Sequence, residues 1–227
     1  MDKPQNKILI TQSNYIPWKG YFDGINQADI FVVYDDMQYT KRDWRNRNQI
    51  KTSQGNLWLT IPIEVKGKYF QKINESVISD KNWGIKHWKT IQSNYSKAPY
   101  FKTYKHTFEE LYMNEVQLNL TEVNISFIRA INKILDIKTE IIDSRKFELA
   151  DGKTERLVDI CKKLNGTEYY TGPAAKDYME EILFEKENIK LNYFDYSNYP
   201  EYSQLFGELP HAVSILDLLF NMGSDAK

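Results

Sequence analysis

The sequence predicts an α/β fold with a mostly parallel, Rossmann-like sheet, helices on both faces and a helical insertion. Short apolar runs at residues 7–12 and 29–34 flank a helical pattern, as in a βαβ unit. Further short runs near residues 142, 170 and 193 are each one helical pattern apart, which favours parallel strands joined by right-handed crossovers. We therefore expect two α/β halves separated by an insertion.

The first half is predicted to contain strand 7–12, helix 18–27, strand 29–34 and strand 58–63. Pro17 is suited to the start of the helix, where its missing N–H has no helical partner. The segment 38–51 has neither a helical nor a strand period, so we expect a loop or short helix. Weak alternation over 73–79 suggests an edge strand.

The insertion, residues 82–135, shows helical periodicity. Trp83, His87, Ile91 and Tyr95 recur every four residues, which predicts helix 83–95. Two more helices are expected at 100–112 and 118–135. The second half is then predicted as strand 140–144, helix 154–164, strand 168–171, helix 174–184, strand 189–196 and helix 213–220. With the insertion between the halves, residues 1–227 are expected to form a single α/β domain.

Composition limits the function. The net charge of −1 argues against a general nucleic-acid binder, and hydrophobic residues at 41% are enough for a core. The single cysteine, Cys161, lies in a helical apolar pattern and is expected in the core. No leader peptide or membrane-spanning run is recognisable, so a cytoplasmic location is the expectation.

Polar and aromatic residues follow the first two predicted strands. The loop 12–20 contains Gln12, Asn14, Tyr15 and Trp18, and backbone N–H groups at the following helix start would favour an anion. Asp35 and Asp36 follow the second strand, where carboxylates face the ligand crevice of an open sheet. The alternatives are that the loop only packs on the sheet and that the two acids form a turn and cap.

Cations and aromatic residues are concentrated in 38–51. This mixture is typical of a phosphate clamp beside a stacking surface, although a charged run is more often a solvated face. The candidate binding residues of this segment are Gln38, Tyr39, Lys41, Arg42, Trp44, Asn46, Arg47 and Lys51, with Arg45 as a further cation.

His87 is the preferred candidate for acid–base work among three histidines, with a packed core histidine as the alternative. The sequence around His106 and His211 makes them weaker candidates for acid–base catalysis than His87. Tyr170 and Gly172 follow one later strand, and Tyr202 and Gln204 follow another, so all four could reach the same crevice. The spacings of zinc sites, serine hydrolases and P-loops are not present in the sequence, and no metal ligands are predicted.

Taken together, these segments resemble the WbqC-like family. The matching stretches are 11–51, beginning TQSNYIPWKGYF, then WLTIPI, WGIKHWKTIQSNY, YYTGPAAKDYM and YSQLFGELPHAVSILDLLFNMG. The family usually has Gln-Pro where this chain has Gln12-Ser13. The resemblance implies a role in O-antigen or other surface polysaccharide synthesis, as an acyl- or aminoacyl-transferase, glycine included, acting on a nucleotide-linked or lipid-linked amino sugar.

A second likeness concerns the first loop. Residues 15–21 are similar in placement to the His-x-Gly-His loop of nucleotidyltransferases and adenylate-forming enzymes, but Tyr21 stands where the second histidine falls. This likeness implies ATP with magnesium as a cofactor, whereas a transferase would need another activated acyl donor. A non-catalytic module binding a glycan or protein partner is the third hypothesis, and a homodimer is left open.

These hypotheses assign roles to the candidates. Lys41, Arg42, Arg47 and Lys51 would hold phosphates, and Trp44 or Tyr39 would stack on a base or sugar. Asp35, Asp36 or His87 would accept the proton of the acceptor amine, because a protonated amine cannot attack a carbonyl. Gln12, Asn14 and Tyr15 would orient the donor.

Overall fold

The computed structural model describes residues 6–113, 118–207 and 212–226, so His211 lies outside the described residues. The helices and strands follow in the order β1 (Asn6–Thr11), α1 (Lys19–Asn26), β2 (Ile30–Val33), β3 (Arg47–Thr52), β4 (Gly55–Thr60), α2 (Trp83–Tyr95), α3 (Phe101–Met113), α4 (Leu120–Leu135), β5 (Glu140–Asp143), α5 (Thr154–Lys163), β6 (Gly166–Thr171), α6 (Glu181–Lys186), β7 (Lys190–Tyr193) and α7 (Ile215–Met222). The chain divides into two compact units, a sheet unit and a helical unit. The single-domain organisation over 1–227 stays a prediction.

The sheet unit comprises the described residues of Met1–Gln12, Gly20–Asp36 and Ile137–Tyr199. Its five strands are parallel, in the order β5-β2-β1-β6-β7. The chain moves outward from β1 to β2 and β5, then returns to β6 and β7 on the other side of β1. Right-handed crossovers then place α1 on one face of the sheet and α5 and α6 on the other. The predicted α/β class with a parallel sheet is confirmed.

Close packing fixes the centre of this sheet. Ile8 on β1 is fully buried, and all four residues of β2 are buried. A Cβ atom on Gly166 would lie 2.6 Å from Cγ1 of Ile8, so β6 can approach β1 at this point only with glycine. The ring of Tyr169 on β6 stacks on the ring of Phe184 on α6, with 5.0 Å between the ring centroids.

The helical unit comprises the described residues of Ser13–Lys19, Met37–Asp136 and Pro200–Lys227. It contains the antiparallel hairpin β3–β4 and the helices α2, α3, α4 and α7. Phe220 of α7 is fully buried, and its ring lies 5.3, 5.1 and 5.5 Å from those of Tyr95, Phe101 and Phe108. Aromatic packing therefore joins α2, α3 and α7 in one core.

Two predictions inside the helical unit are wrong. The end of the segment 38–51, predicted as loop or short helix, forms β3, because backbone pairing with β4 orders residues whose side chains show no apolar alternation. The expected edge strand 73–79 is a 3-10 turn, Ile73–Glu75, followed by single bridges of Val77 to Asn119 and of Ile78 to Ile63.

One prediction in the sheet unit also needs correction. Residues 174–184 do not form one helix but a 3-10 turn, Pro173–Asp177, and the short α6. The 3-10 and α-helical periods are close enough that apolar spacing over so few residues did not separate them. The remaining elements, including helices 83–95, 100–112 and 118–135, are confirmed apart from their ends. Across the described residues, no helix has both the length and the apolarity needed to span a bilayer.

Candidate functional site

A pocket of about 210 Å³ opens on the helical unit, lined by Asn14, Pro17, Trp18, Trp44, Asn48 and Ala212. Two tryptophans and the half-buried Asn14 thus border a space large enough for part of a small polar ligand. Trp44 is 43% exposed. The pocket combines three predicted binding residues, Asn14, Trp18 and Trp44, with residues that were not predicted.

Asn48 holds the wall of this pocket in place. It is 2% exposed, and its amide nitrogen donates to the carbonyl oxygens of Tyr15 and Ile16 at 3.2 and 2.9 Å. Ile16 has a φ of 37°, a conformation that β-branched residues rarely adopt. The backbone N–H of Ile215 donates to the Pro17 carbonyl at 2.8 Å. The loop before α1 is therefore held by β3 on one side and α7 on the other.

Arg47 is connected to the pocket residue Trp44 through Trp58. The rings of Trp44 and Trp58 are 5.3 Å apart, and the Arg47 guanidinium lies 4.0 Å from the Trp58 ring centroid. Nε of Arg47 is buried without a hydrogen-bond partner, and no carboxylate pairs with this side chain among residues 6–113, 118–207 and 212–226. Because Nε is buried, a guanidinium without a carboxylate partner would receive an anionic group through its terminal nitrogens.

His87 lies in a buried chain of polar side chains. The Tyr15 hydroxyl contacts both Nδ1 of His87 and the Tyr112 hydroxyl, each at 2.9 Å. Burial lowers the pKa of His87 from 6.5 to about 4, and a hydrogen bond to the Thr60 backbone opposes this only in part. The imidazole is therefore neutral at pH 7, where it accepts from Tyr15 and is a weak base. Its catalytic role stays a prediction.

A second buried polar cluster surrounds Asp217, which is 1% exposed. Its carboxylate accepts hydrogen bonds from the hydroxyls of Tyr95 and Tyr202 at 2.8 and 2.9 Å. Gln204 donates to Tyr202 at 3.0 Å and accepts from Lys51 Nζ at 2.9 Å. Burial raises the pKa of Asp217, while the two hydroxyls and the charge of Lys51 lower it in part. The structure thus brings together three predicted residues, Lys51, Tyr202 and Gln204.

The other predicted residues of this unit have varied surroundings. Lys41 and Arg42 are exposed in the loop before β3, and the clamp of four cations stays a prediction. Tyr39 is 7% exposed, and burial raises its pKa to about 12. The Gln38 amide donates to the Tyr69 carbonyl at 3.0 Å, and the Asn46 amide to the Ile61 carbonyl at 2.8 Å.

The sheet unit holds the remaining candidates, at or just after strand ends. Gln12 follows β1, and its carbonyl accepts from the Tyr21 hydroxyl at 3.0 Å. Asp35 is 2% exposed, and Asp36 accepts from the Ser144 hydroxyl at 2.5 Å. Tyr170 donates to Glu168 at 3.1 Å, while Gly172 follows β6. These positions match the carboxyl edge of a parallel sheet, but a ligand role for them stays a prediction.

Sequence reasoning missed three residues of these sites. The sequence pattern does not distinguish Asn48 within the segment 38–51, and it places Trp58 in the predicted strand 58–63 and Asp217 in the predicted helix 213–220. A signal existed for Asp217, because a single acid on the apolar face of a helix requires buried partners. Pro17 was assigned to the helix start, although it also lines the pocket.

Comparison with known proteins gives the family but no activity. A family model described as the WbqC-like protein family matches residues 12–227. The chain is also 49% identical over 220 residues to the "Uncharacterized protein Rv1507c" of Mycobacterium tuberculosis (strain ATCC 25618 / H37Rv), covering 97% of this chain and 95% of that protein. No solved structure matches. The chain therefore belongs to the WbqC-like protein family.

Proposed function

We propose that this protein transfers an acyl or aminoacyl group, glycine included, to the amino group of a nucleotide-linked or lipid-linked amino sugar during surface polysaccharide synthesis. The observation that carries the proposal is the pocket in which Trp18 and Trp44 stand beside the amide of Asn14, with the buried Asn48 holding the pocket wall. Indole faces pack on the apolar face of a sugar ring, and amides bond its hydroxyl groups. The proposal also draws on membership of the WbqC-like family.

Arg47 supports an acceptor that carries phosphate. Its guanidinium is stacked on Trp58, and Trp58 contacts the pocket residue Trp44. A phosphate next to the bound sugar would accept hydrogen bonds from the donors that Arg47 leaves unused. A guanidinium binds phosphate with two parallel hydrogen bonds, which lysine cannot reproduce. Both nucleotide-linked and lipid-linked sugars provide this group.

The transfer itself needs an activated donor. The amine nitrogen forms an amide bond to the acyl carbon, the bond between that carbon and its activating group breaks, and the amine proton passes to a base. His87, Asp35 and Asp36 remain the proposed bases. A carrier thioester, a charged tRNA or an acid activated by ATP and magnesium would supply the donor.

The second candidate function is glycan binding without catalysis. The burial of His87 favours it, because an imidazole 8% exposed, with a pKa near 4, is poorly suited to deprotonate a bound amine. The same pocket serves both candidate functions, so a binding measurement does not distinguish them. Formation of an acylated sugar would show that the protein is catalytic.

Binding is measured first, by calorimetry with UDP- and dTDP-linked amino sugars, the free amino sugars and UDP. Trp44→Ala should weaken every sugar ligand about tenfold, the usual loss for an exposed aromatic contact. Arg47→Ala should weaken only phosphate-bearing ligands, and the exposed Arg129→Ala is its matched control. Equal affinities for all variants would refute the pocket assignment.

Turnover is measured next, by mass spectrometry of the sugar after incubation with glycine and ATP–magnesium, with glycyl-tRNA or with a glycyl thioester. A product heavier by one glycyl group, lost in Trp44→Ala, is the expected result. Tight binding of a sugar with no product from any donor would favour the non-catalytic module. Failure to bind any of these sugars would refute a nucleotide-linked acceptor, and a lipid-linked amino sugar would then be measured in the same way.

A further inference from the structure

Tyr69 and Phe70 form an exposed aromatic tip on the helical unit. They are 78% and 82% exposed, and their rings meet edge to face at 4.9 Å. Neighbouring backbone bonds hold the turn that carries them, with Gln71 N–H donating to the Lys68 carbonyl at 3.3 Å and Tyr39 N–H donating to the Gln71 carbonyl at 2.9 Å. Two adjacent aromatic side chains are thus presented to solvent by an anchored turn.

Cations outnumber acids in the turn 64–75 that carries this tip and in the segment that adjoins it. The turn and the segment 37–43 beside it carry five cations, Lys41, Arg42, Lys66, Lys68 and Lys72, and three acids, Asp43, Glu64 and Glu75. Glu64 pairs with Lys68 at 2.7 Å, Asp43 accepts from Thr40, and Glu75 accepts from the Lys72 backbone. In the described part of the chain, no carboxylate pairs with Lys41, Arg42 or Lys66, all of which are exposed.

We propose that this basic aromatic tip binds the surface of an anionic phospholipid bilayer. Aromatic residues partition into the boundary between headgroups and acyl chains, and nearby lysine and arginine side chains are attracted by anionic headgroups. Neither the exposed aromatic pair nor the basic excess is a strong signal alone, but both occur in the same turn and the segment beside it. The contact would hold the protein at a membrane without crossing it.

The basic excess favours a bilayer over a protein partner. A protein interface of ordinary size needs an extended complementary surface around such a pair, with charged groups depleted at its centre. Here the aromatic pair is the apex of a turn, with Lys68 directly before it and Lys72 two residues after it in the chain. This pattern suits shallow insertion into an anionic, fluid surface.

Vesicle sedimentation tests the proposal, using phosphatidylcholine vesicles with and without about 30% phosphatidylglycerol. The parent protein should sediment with the anionic vesicles only, and less so at higher salt. Tyr69→Ser/Phe70→Ser should bind at least about tenfold more weakly, because both rings lose apolar burial. Lys41→Glu/Lys66→Glu should also weaken binding.

Matched controls separate the tip from general surface effects. Tyr178→Ser removes an aromatic side chain that is 60% exposed elsewhere, and Lys89→Glu/Lys97→Glu changes two other exposed lysines. Both should bind vesicles like the parent. An absence of binding to anionic vesicles, or equal binding by the tip variant, would overturn the proposal. Concentration-dependent self-association that disappears in the tip variant, without vesicle binding, would overturn it in favour of a second copy of the chain.

Discussion

Acidification should unfold this protein partly through His87. The folded state holds the imidazole neutral in a buried site, with a pKa of about 4 against an ordinary value of 6.5. Because the pKa is lower in the folded state, the unfolded state binds the proton first as the pH falls. The stability that depends on neutral His87 is thus fully present above pH 6.5 and is lost between pH 6.5 and 4.

The size of this effect follows from the two pKa values. Each unit of difference corresponds to about 1.4 kcal/mol, so the fall from 6.5 to about 4 gives a loss of about 3 kcal/mol by pH 4. The side chain is 8% exposed, so solvent screening reduces this only slightly. Folded domains are typically stable by about 5–15 kcal/mol, so a loss of this size would be clearly measurable.

The assay is urea unfolding at pH values between 7.5 and 4 for the parent and for His87→Asn. Asparagine keeps an oxygen near the position of Nδ1, so Tyr15 retains an acceptor, but the variant cannot titrate. We expect the variant to be about 1–3 kcal/mol less stable at pH 7, through its lost packing and its lost bond to Thr60, and to approach or exceed the parent at pH 4.

The exposed His106→Asn serves as the control for loss of a surface histidine, and it should change the unfolding free energy by less than about 0.5 kcal/mol. Carboxylates common to all three proteins contribute equally and cancel in the differences. A constant gap between parent and His87→Asn across this pH range would refute the assignment of a depressed pKa. A directly measured imidazole pKa near 6.5, by NMR titration, would refute it as well.

Three further results are expected. Gly84→Ala should destabilise the protein by about 2–4 kcal/mol in thermal unfolding. The reason is that the added Cβ would lie 2.0 Å from the Tyr112 carbonyl oxygen, where α2 meets α3. An unchanged melting temperature would contradict this contact. Phe220→Ala should cost about 3–5 kcal/mol, whereas the exposed Phe70→Ala should cost less than about 0.5, and similar losses would mean that the core is misplaced. Cys161 should resist a thiol reagent until urea unfolds the chain, because it is fully buried and burial raises its pKa; rapid reaction of the native protein would contradict its placement.

The candidate site was predictable only in part. Aromatic and amide residues in the loop before α1 pointed to Asn14 and Trp18, and those of the segment 38–51 pointed to Trp44; all three line one pocket. Proximity in the sequence did not reveal the different surroundings of the proposed clamp cations Arg47 and Lys51, although residues four apart on a strand share a face. Arg47 stacks on Trp58, whereas Lys51 is buried beside Gln204.

The sequence by itself determined the α/β class and the positions of α2, α3 and α4, because local apolar periodicity is a property of the chain alone. It also indicated which loops carry unusual polarity. Only the tertiary structure decided that 47–52 is a strand, since its order comes from pairing with β4. It alone joined Lys51, Tyr202 and Asp217 and set Tyr15 against His87, 72 residues apart in the chain. Such contacts depend on the path of the backbone between distant segments, and neither composition nor spacing encodes that path.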